Sequence, residues 1–227
     1  MRPLRLLSGG AAQGLVEALR PSFEARTGWR IDGLFGAVGA MKARLLAGEA
    51  VDVMILSRVL IDELVRDGHL LADTARNIGT VRTAIAARAG DAFPDVGNEA
   101  ELRTALIRSD EVHFPDPEQA TAGIHFAKVM KTLGVWQEAA AKLRPAPNGA
   151  TAMRALARST SRRPLGCTQA TEILSTAGVV LVAPLPPGCD LATTYAAAMT
   201  IRSTVPAEAF KLIGLLAENA AGRHGFD

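Results

Sequence analysis

Leu4-Arg5-Leu6-Leu7 followed by Ser8-Gly9-Gly10-Ala11 opens the chain, and the next sixty residues settle how that opening is read. Residues 11–27 carry Leu15, Val16, Leu19 and Phe23 at helical spacing, and Gly28 stops the run. Residues 29–35 form a second apolar-rich strand, Gly36-Ala37-Val38-Gly39 a second loop of small residues, and 40–47 a helix closed by Gly48. A third strand over 51–56 and a helix over 59–67, ended by Gly68, repeat the unit. Short apolar runs alternating with amphipathic stretches define an α/β fold with a mainly parallel sheet.

The same grammar continues at lower density. A strand over 81–88 is reached through the polar stretch 73–80. A helix at 99–108, a strand at 111–114, a Pro/Gly loop at 115–123 and a helix at 124–133 follow, with Gly134 as its stop. Then come a helix at 150–157, strands at 165–167, 179–183 and 194–200, and a closing helix at 206–219 with Pro206 in its first turn. The chain is expected to cross between two lobes near 77–80 and 192–201. Lobe one then holds residues 1–79 and 201–227, and lobe two residues 80–200. In open α/β sheets ligands sit at the carboxyl ends of strands, so a cleft between the lobes is the expected site.

Composition narrows the function classes. Apolar residues are 48% and charged residues 21%, an ordinary globular balance. Aromatics are only 4% while Ala and Gly abound, which favours closely packed helices on a sheet. A net charge of +2 with scattered Lys and Arg argues against nucleic acid as a partner. No run of about 18 apolar residues is present, so no membrane insertion is expected. Cys167 and Cys189 belong to no CxxC or His/Cys cluster, so no metal site is expected and both are read as free, buried thiols. Neither GxxxxGK[ST] nor GxGxxG occurs, and no cofactor is expected. Met1-Arg2-Pro3 leads straight to Leu4 without a long apolar leader. The expected location is cytoplasmic if Met1 is the natural start, and periplasmic if a leader has been removed.

Four loops carry the chemistry. Gly9, Gly10 and Ala11, then Gly36, Ala37 and Val38, then Thr121, Ala122 and Gly123, and finally Asn148 and Gly149 each precede a helix. Small residues let backbone amides approach a ligand, and the first turn of a helix offers unpaired donors with a favourable dipole. Several such ends make an anion site without any Lys or Arg. Hydrogen bonds to a charged group contribute about 1.5–3 kcal/mol each, and a micromolar complex needs about 8 kcal/mol. Four to six donors, less ordering costs, are in that range. The bland alternative is that Gly and Ala simply mark tight turns.

Several stretches together resemble the molybdate-binding periplasmic proteins, type II solute-binding proteins of ABC transporters. They are Phe23-Glu24-Ala25-Arg26-Thr27-Gly28, the run from Ala47-Gly48-Glu49 through Val53-Met54-Ile55-Leu56, Asp116-Pro117 with Ala122-Gly123, and Pro164-Leu165-Gly166. The resemblance covers nearly the whole chain. It implies a monomer of two α/β lobes joined by two strands, a small oxyanion in the cleft, and an ABC permease as partner. The family's binding serine after the first strand corresponds to Ala11, its serine pair to Ala37 and Val38, and its lobe-two tyrosine to Gln169. The positions that donate backbone amides, Ala122 and Gly149, remain. The cradle survives while the hydroxyls suited to molybdate are gone, which points to a carboxylate or a larger oxygen-rich anion.

Side chains near the loops offer further candidates. Thr168 and Gln169 supply a hydroxyl and an amide, and Arg58 could clamp a carboxylate in bidentate fashion. If the protein is an enzyme, Glu172 is a candidate general base and His125 a second candidate catalytic residue. That alternative has precedent, because some proteins similar to this family isomerise unsaturated tricarboxylates such as aconitate. A LysR-type sensing lobe shares the general fold, but no helix-turn-helix precedes the first strand.

Overall fold

The computed structural model describes residues 2–220 and 224–227. The chain divides into two compact units, Met1–Val81 with Thr193–Asp227, and Arg82–Ala192.

Unit one opens with β1 (Arg2–Gly9), α1 (Gln13–Thr27), β2 (Trp29–Gly36), α2 (Val38–Leu46), β3 (Val53–Ser57) and α3 (Arg58–Arg66). β1 lies between β2 and β3, parallel to both. All five residues of β3 are buried, as expected for a strand covered on both faces. Gly28 ends α1 with φ 73°, a left-handed conformation that costs a side-chain-bearing residue energy. β4 (Arg76–Arg88) begins in this unit and ends in the next. Of the polar stretch 73–80, residues 76–80 thus belong to the strand, while Asp73 and Thr74 lie in a short 3-10 turn before it. Thr80 exchanges backbone hydrogen bonds with Asp227, and its hydroxyl bonds that of Thr194 at 3.0 Å.

Unit two continues with α4 (Glu99–Arg108), β5 (Glu111–Pro115), α5 (Thr121–Thr132), β6 (Leu143–Ala146), α6 (Gly149–Arg158), β7 (Pro164–Gln169), α7 (Ala170–Leu174) and β8 (Val179–Pro184). β7, β5 and β6 run parallel, and β4 adds antiparallel to β7 and β8. β6 escapes notice in the sequence because it is short and holds Pro145, which an edge strand tolerates. Alternation along β4 and β7 sorts the core into two layers. Ile85 and Cys167 join Leu102, Phe114 and Phe126 on one side, where the Phe114 and Phe126 rings meet edge to face at 5.7 Å. Ala84 and Ala86 join Met153, Leu156 and Ile173 on the other. Both cysteines are free and buried, and burial pushes both thiols up.

The chain returns to unit one through β9 (Ala192–Met199) and ends with α8 (Pro206–Asn219). Residues 193–200, expected in lobe two, belong instead to unit one, because β9 pairs antiparallel with the whole of β3. α8 starts at Pro206, as the sequence predicts, and packs on α1 through a face that buries Leu212, Ile213 and Leu216. Each unit is therefore a mainly parallel sheet flanked by helices and closed by antiparallel strands. The fold is that of the type II periplasmic binding proteins. No helix of the described residues is long and apolar enough to cross a membrane.

Candidate functional site

The loops picked out by the sequence fall at helix starts in both units, but the structure treats them differently. In unit two, α6 begins at Gly149 with Asn148 as its N-cap, whose side chain accepts from the Thr151 amide at 2.9 Å. The Ala152 amide bonds the Asn148 carbonyl at 3.0 Å. The backbone amides of Gly149, Ala150 and Gln169 lie near enough to the Glu172 carboxylate to favour its charged form. Thr168 Oγ1 donates to Glu172 Oε2 at 2.5 Å. Glu172 is the third residue of α7 and reaches back to the amide of its N-cap, Gln169, as in one half of a capping box. An internal carboxylate therefore fills the α6 cradle expected to receive a ligand.

Thr168 Oγ1 bonds one oxygen of this carboxylate, and the backbone amides of Gly149, Ala150 and Gln169 favour its charged form. Buried against Gly149, Glu172 packs α7 onto the start of α6 as a structural clasp. Burial raises its carboxyl above the usual range, against the lowering effect of its donors. Gly149 is required here: a Cβ would overlap both Glu172 Oε2 and Thr168 Oγ1.

α5 is the opposite case. It starts at Thr121, three residues earlier than its apolar pattern indicates, so Thr121, Ala122 and Gly123 form its first turn. No side chain caps it. The Ile124 amide bonds the Ala120 carbonyl at 2.9 Å, while among the described residues those of Thr121, Ala122 and Gly123 take no backbone acceptor outside the helix. Ala122 and Gly123 are buried. Gly123 serves packing, since a Cβ would collide with the carbonyls of Pro115 and Asp116. His125 Nε2 donates to the Cys189 carbonyl at 2.7 Å, which ties the ring to unit two's own backbone.

Gln169 ends β7 and is 2% exposed, yet among the described residues neither Oε1 nor Nε2 has a hydrogen-bond partner. Directly across the sheet, in register, stands Thr83 of β4, 1% exposed, with Oγ1 likewise unpartnered. By alternation both side chains share the face of Ile85 and Cys167, the layer that also holds α5's Phe126. Thr168 shares the opposite face with Ala84, towards α6 and α7. Thr83 goes unnoticed in the sequence because only sheet register sets it beside Gln169.

In unit one, the Gly10–Ala12 turn precedes α1, and α2 begins at Val38 with Ala37 as an N-cap that offers no side-chain acceptor. A Cβ on Gly9 would lie 2.8 Å from Val38 Cγ1 and 3.2 Å from Tyr195 Cε1, so these three residues converge at the end of β1, beside the middle of β9. A Cβ on Gly36 would lie 2.9 Å from Met41 Cε. Both glycines thus answer to internal packing. Arg58, the candidate carboxylate clamp, is exposed and engaged: Nε donates to Asp62 Oδ1 at 2.8 Å and Nη1 to Asn77 Oδ1 at 3.0 Å. Among the described residues no cluster of three His, Cys, Asp or Glu side chains could hold a metal ion.

The model of the bacterial extracellular solute-binding proteins matches residues 4–226. The chain belongs to that family. Among solved structures, the periplasmic molybdate-binding protein of Azotobacter vinelandii superposes with a TM-score of 0.80 at 16% identity, covering 99% of this chain and 98% of that one. The sulfate-binding protein SubI of Mycobacterium tuberculosis gives 0.73 at 16% identity, covering 100% and 86%. At such identity these likenesses speak for the fold of this solute-binding protein. In sequence, the aconitate isomerase of a Pseudomonas species is 27% identical over 229 residues, 97% of this chain and 84% of that protein.

Proposed function

We propose that this solute-binding protein holds a small organic anion, a carboxylate in preference to a tetrahedral oxyanion. The observation that carries the reading is the uncapped, partly buried first turn of α5, together with the unpartnered amide of Gln169 in the same unit. An anion at that turn would meet the donors and the dipole that no side chain satisfies. Ala11, Ala37 and Val38 supply no hydroxyl in the loops of unit one, which separates this chain's chemistry from that of a molybdate receptor. Gly9, Gly10, Ala11, Gly36, Ala37 and Val38 remain proposed amide contributors. An ABC permease is the proposed partner of the loaded form.

Thermal-shift measurements with citrate, aconitate, molybdate, tungstate and sulfate test this. Ligand at a hundredfold excess over Kd stabilises by about 2.7 kcal/mol, which raises Tm by roughly 5–10 °C for a chain of this size. A shift with an organic acid supports the reading. A larger shift with molybdate than with any carboxylate removes the preference for carboxylates, and no shift with any anion overturns the proposal.

A second reading, an aconitate isomerase, is favoured by the likeness across 97% of the chain. The candidate proton-transfer groups in that case are Glu172 and His125, whose Nε2 donates to Cys189 and whose other ring nitrogen can accept a proton. Incubation with cis-aconitate, followed by proton NMR, decides the matter. Formation of the trans isomer that disappears in His125→Ala establishes it, and an unchanged spectrum sinks it.

A further inference from the structure

Unit two leaves three buried hydrogen-bonding atoms unanswered at one place: Oε1 and Nε2 of Gln169 and Oγ1 of Thr83. The two residues are register partners on adjacent antiparallel strands, so their side chains stand on one face about 5 Å apart at Cβ. Both are more than nine-tenths buried, at 2% and 1% exposure. A buried polar atom left unpaired costs free energy, and native chains keep few of them without a reason. Their neighbours do not supply one. The backbone of Thr83 is fully engaged, its amide to the Leu191 carbonyl and its carbonyl to the Leu185 amide. Thr168 is turned to the other face, where Glu172 holds it.

Whichever way the carboxamide of Gln169 is turned, it presents one acceptor and one NH2 donor, and the Thr83 hydroxyl can play either part. A fully ionised tetrahedral oxyanion offers only acceptors. It would either satisfy Nε2 and the Thr83 hydroxyl and leave Oε1 facing negative oxygen, or turn the Thr83 hydroxyl to Oε1 and lose it as a donor to the ligand. A ligand that places a hydroxyl beside a carboxylate satisfies all three atoms at once. We infer that Gln169 and Thr83 form a specificity subsite that selects hydroxycarboxylic acids over carboxylic acids without a hydroxyl and over inorganic oxyanions. This deepens the organic-anion reading and rests on it.

Isothermal titration of the full chain with matched pairs tests the inference: citrate against propane-1,2,3-tricarboxylate, malate against succinate, with sulfate and molybdate alongside. The hydroxylated member of a pair is expected to bind roughly tenfold to a hundredfold more tightly, the range set by one unanswered buried acceptor. Gln169→Met keeps the length and removes both hydrogen-bonding atoms, and the preference is expected to collapse to within about threefold. Thr83→Val, which keeps the β-branched shape, is expected to reduce the preference by a smaller factor. Melting curves without ligand establish that each variant is folded, and the wild-type comparison needs no variant. Equal affinity within the pairs, or a preference that persists in Gln169→Met, overturns this subsite while leaving the organic-anion reading intact. Absence of binding by every acid and oxyanion overturns both.

Discussion

The starts of α5 and α6 lie in one unit and read alike in sequence, small residues with a threonine just before or inside a helix, yet they end in opposite states. At α6 the first turn is answered from within: Asn148 accepts from the Thr151 amide, and the buried Glu172 carboxylate lies against Gly149, its charged form favoured by the Gly149 and Ala150 amides. At α5 there is no capping side chain, and among the described residues the amides of Thr121, Ala122 and Gly123 take no backbone acceptor outside the helix. A helix start stays open to an anion only where the protein has not supplied its own. Glycine and alanine at a loop do not distinguish the two, since Gly149 and Gly123 are both dictated by protein atoms that a Cβ would strike.

The most direct way to break the comparison is to spoil the closed end. Gly149→Ala forces a methyl group into Glu172 and Thr168 and opens the clasp. We expect a loss of about 3 kcal/mol from overpacking and displaced hydrogen bonds, seen as a fall in Tm of roughly 6–12 °C. A fall below a degree or two would show that Glu172 can be moved freely, and the clasp would lose its standing.

Glu172→Gln is next. It replaces one acceptor oxygen by an NH2 group facing donors, with an expected cost of about 2 kcal/mol. The pH dependence carries the sharper signature. Glu172 has its carboxyl raised in the fold, so its contribution is fully present below the unfolded value and is lost as pH rises through the folded one. The stability gap between the wild type and the variant, from urea melts, should therefore be widest at low pH and narrow upwards. Glu111 works with the opposite sign. Hydrogen bonding from Ser159 and His113 holds it at about 2, and its contribution disappears as pH falls from the ordinary glutamate range towards that value. A gap at Glu172 that widens with pH would mean that its carboxylate is stabilised on balance, against the burial argument.

How far these differences were legible in the sequence follows from what each depends on. The strand–loop–helix order of unit one is local, carried by Leu15, Val16 and Phe23 on α1 and by the unbroken run of β3, and it could be read directly. α5 was read three residues short because Thr121, Ala122 and Gly123 carry small side chains with no apolar periodicity, although their backbone is helical. β9 was assigned to the wrong lobe because strand pairing is non-local: nothing in residues 193–199 names β3 as their partner. The site suffered most. The Glu172 clasp joins α7 to α6 across some twenty residues, and Thr83 stands beside Gln169 across 86, so the sequence marked the helix-start loops without saying which already hold a protein group.

Sharpening the open end requires removing one amide without disturbing the helix. Thr121 is the first residue of α5, and Ala120 before it is extended at φ −101° and ψ 129°, a conformation that a following proline accepts. Thr121→Pro should therefore leave Tm within about 2 °C while deleting a donor with no internal partner. If that amide meets the ligand, affinity for an organic acid should fall roughly tenfold, the loss of one hydrogen bond to a charged group. Unchanged affinity with an intact fold would remove Thr121 from the proposed site.

The smallest expected effect belongs to Asn148, and it completes the contrast. Asn148→Ala deletes the cap on the Thr151 amide and should cost about 1 kcal/mol, or roughly 2–4 °C in Tm. Because Gly149 and Ala150 keep Glu172, the α6 end stays closed to a ligand, and anion affinity should remain within about twofold of the wild type, as measured by titration. A clear gain in affinity would mean that the Thr151 amide, once uncapped, can recruit the ligand by itself. The division between an open and a closed helix start would then rest on Asn148 and not on the buried carboxylate.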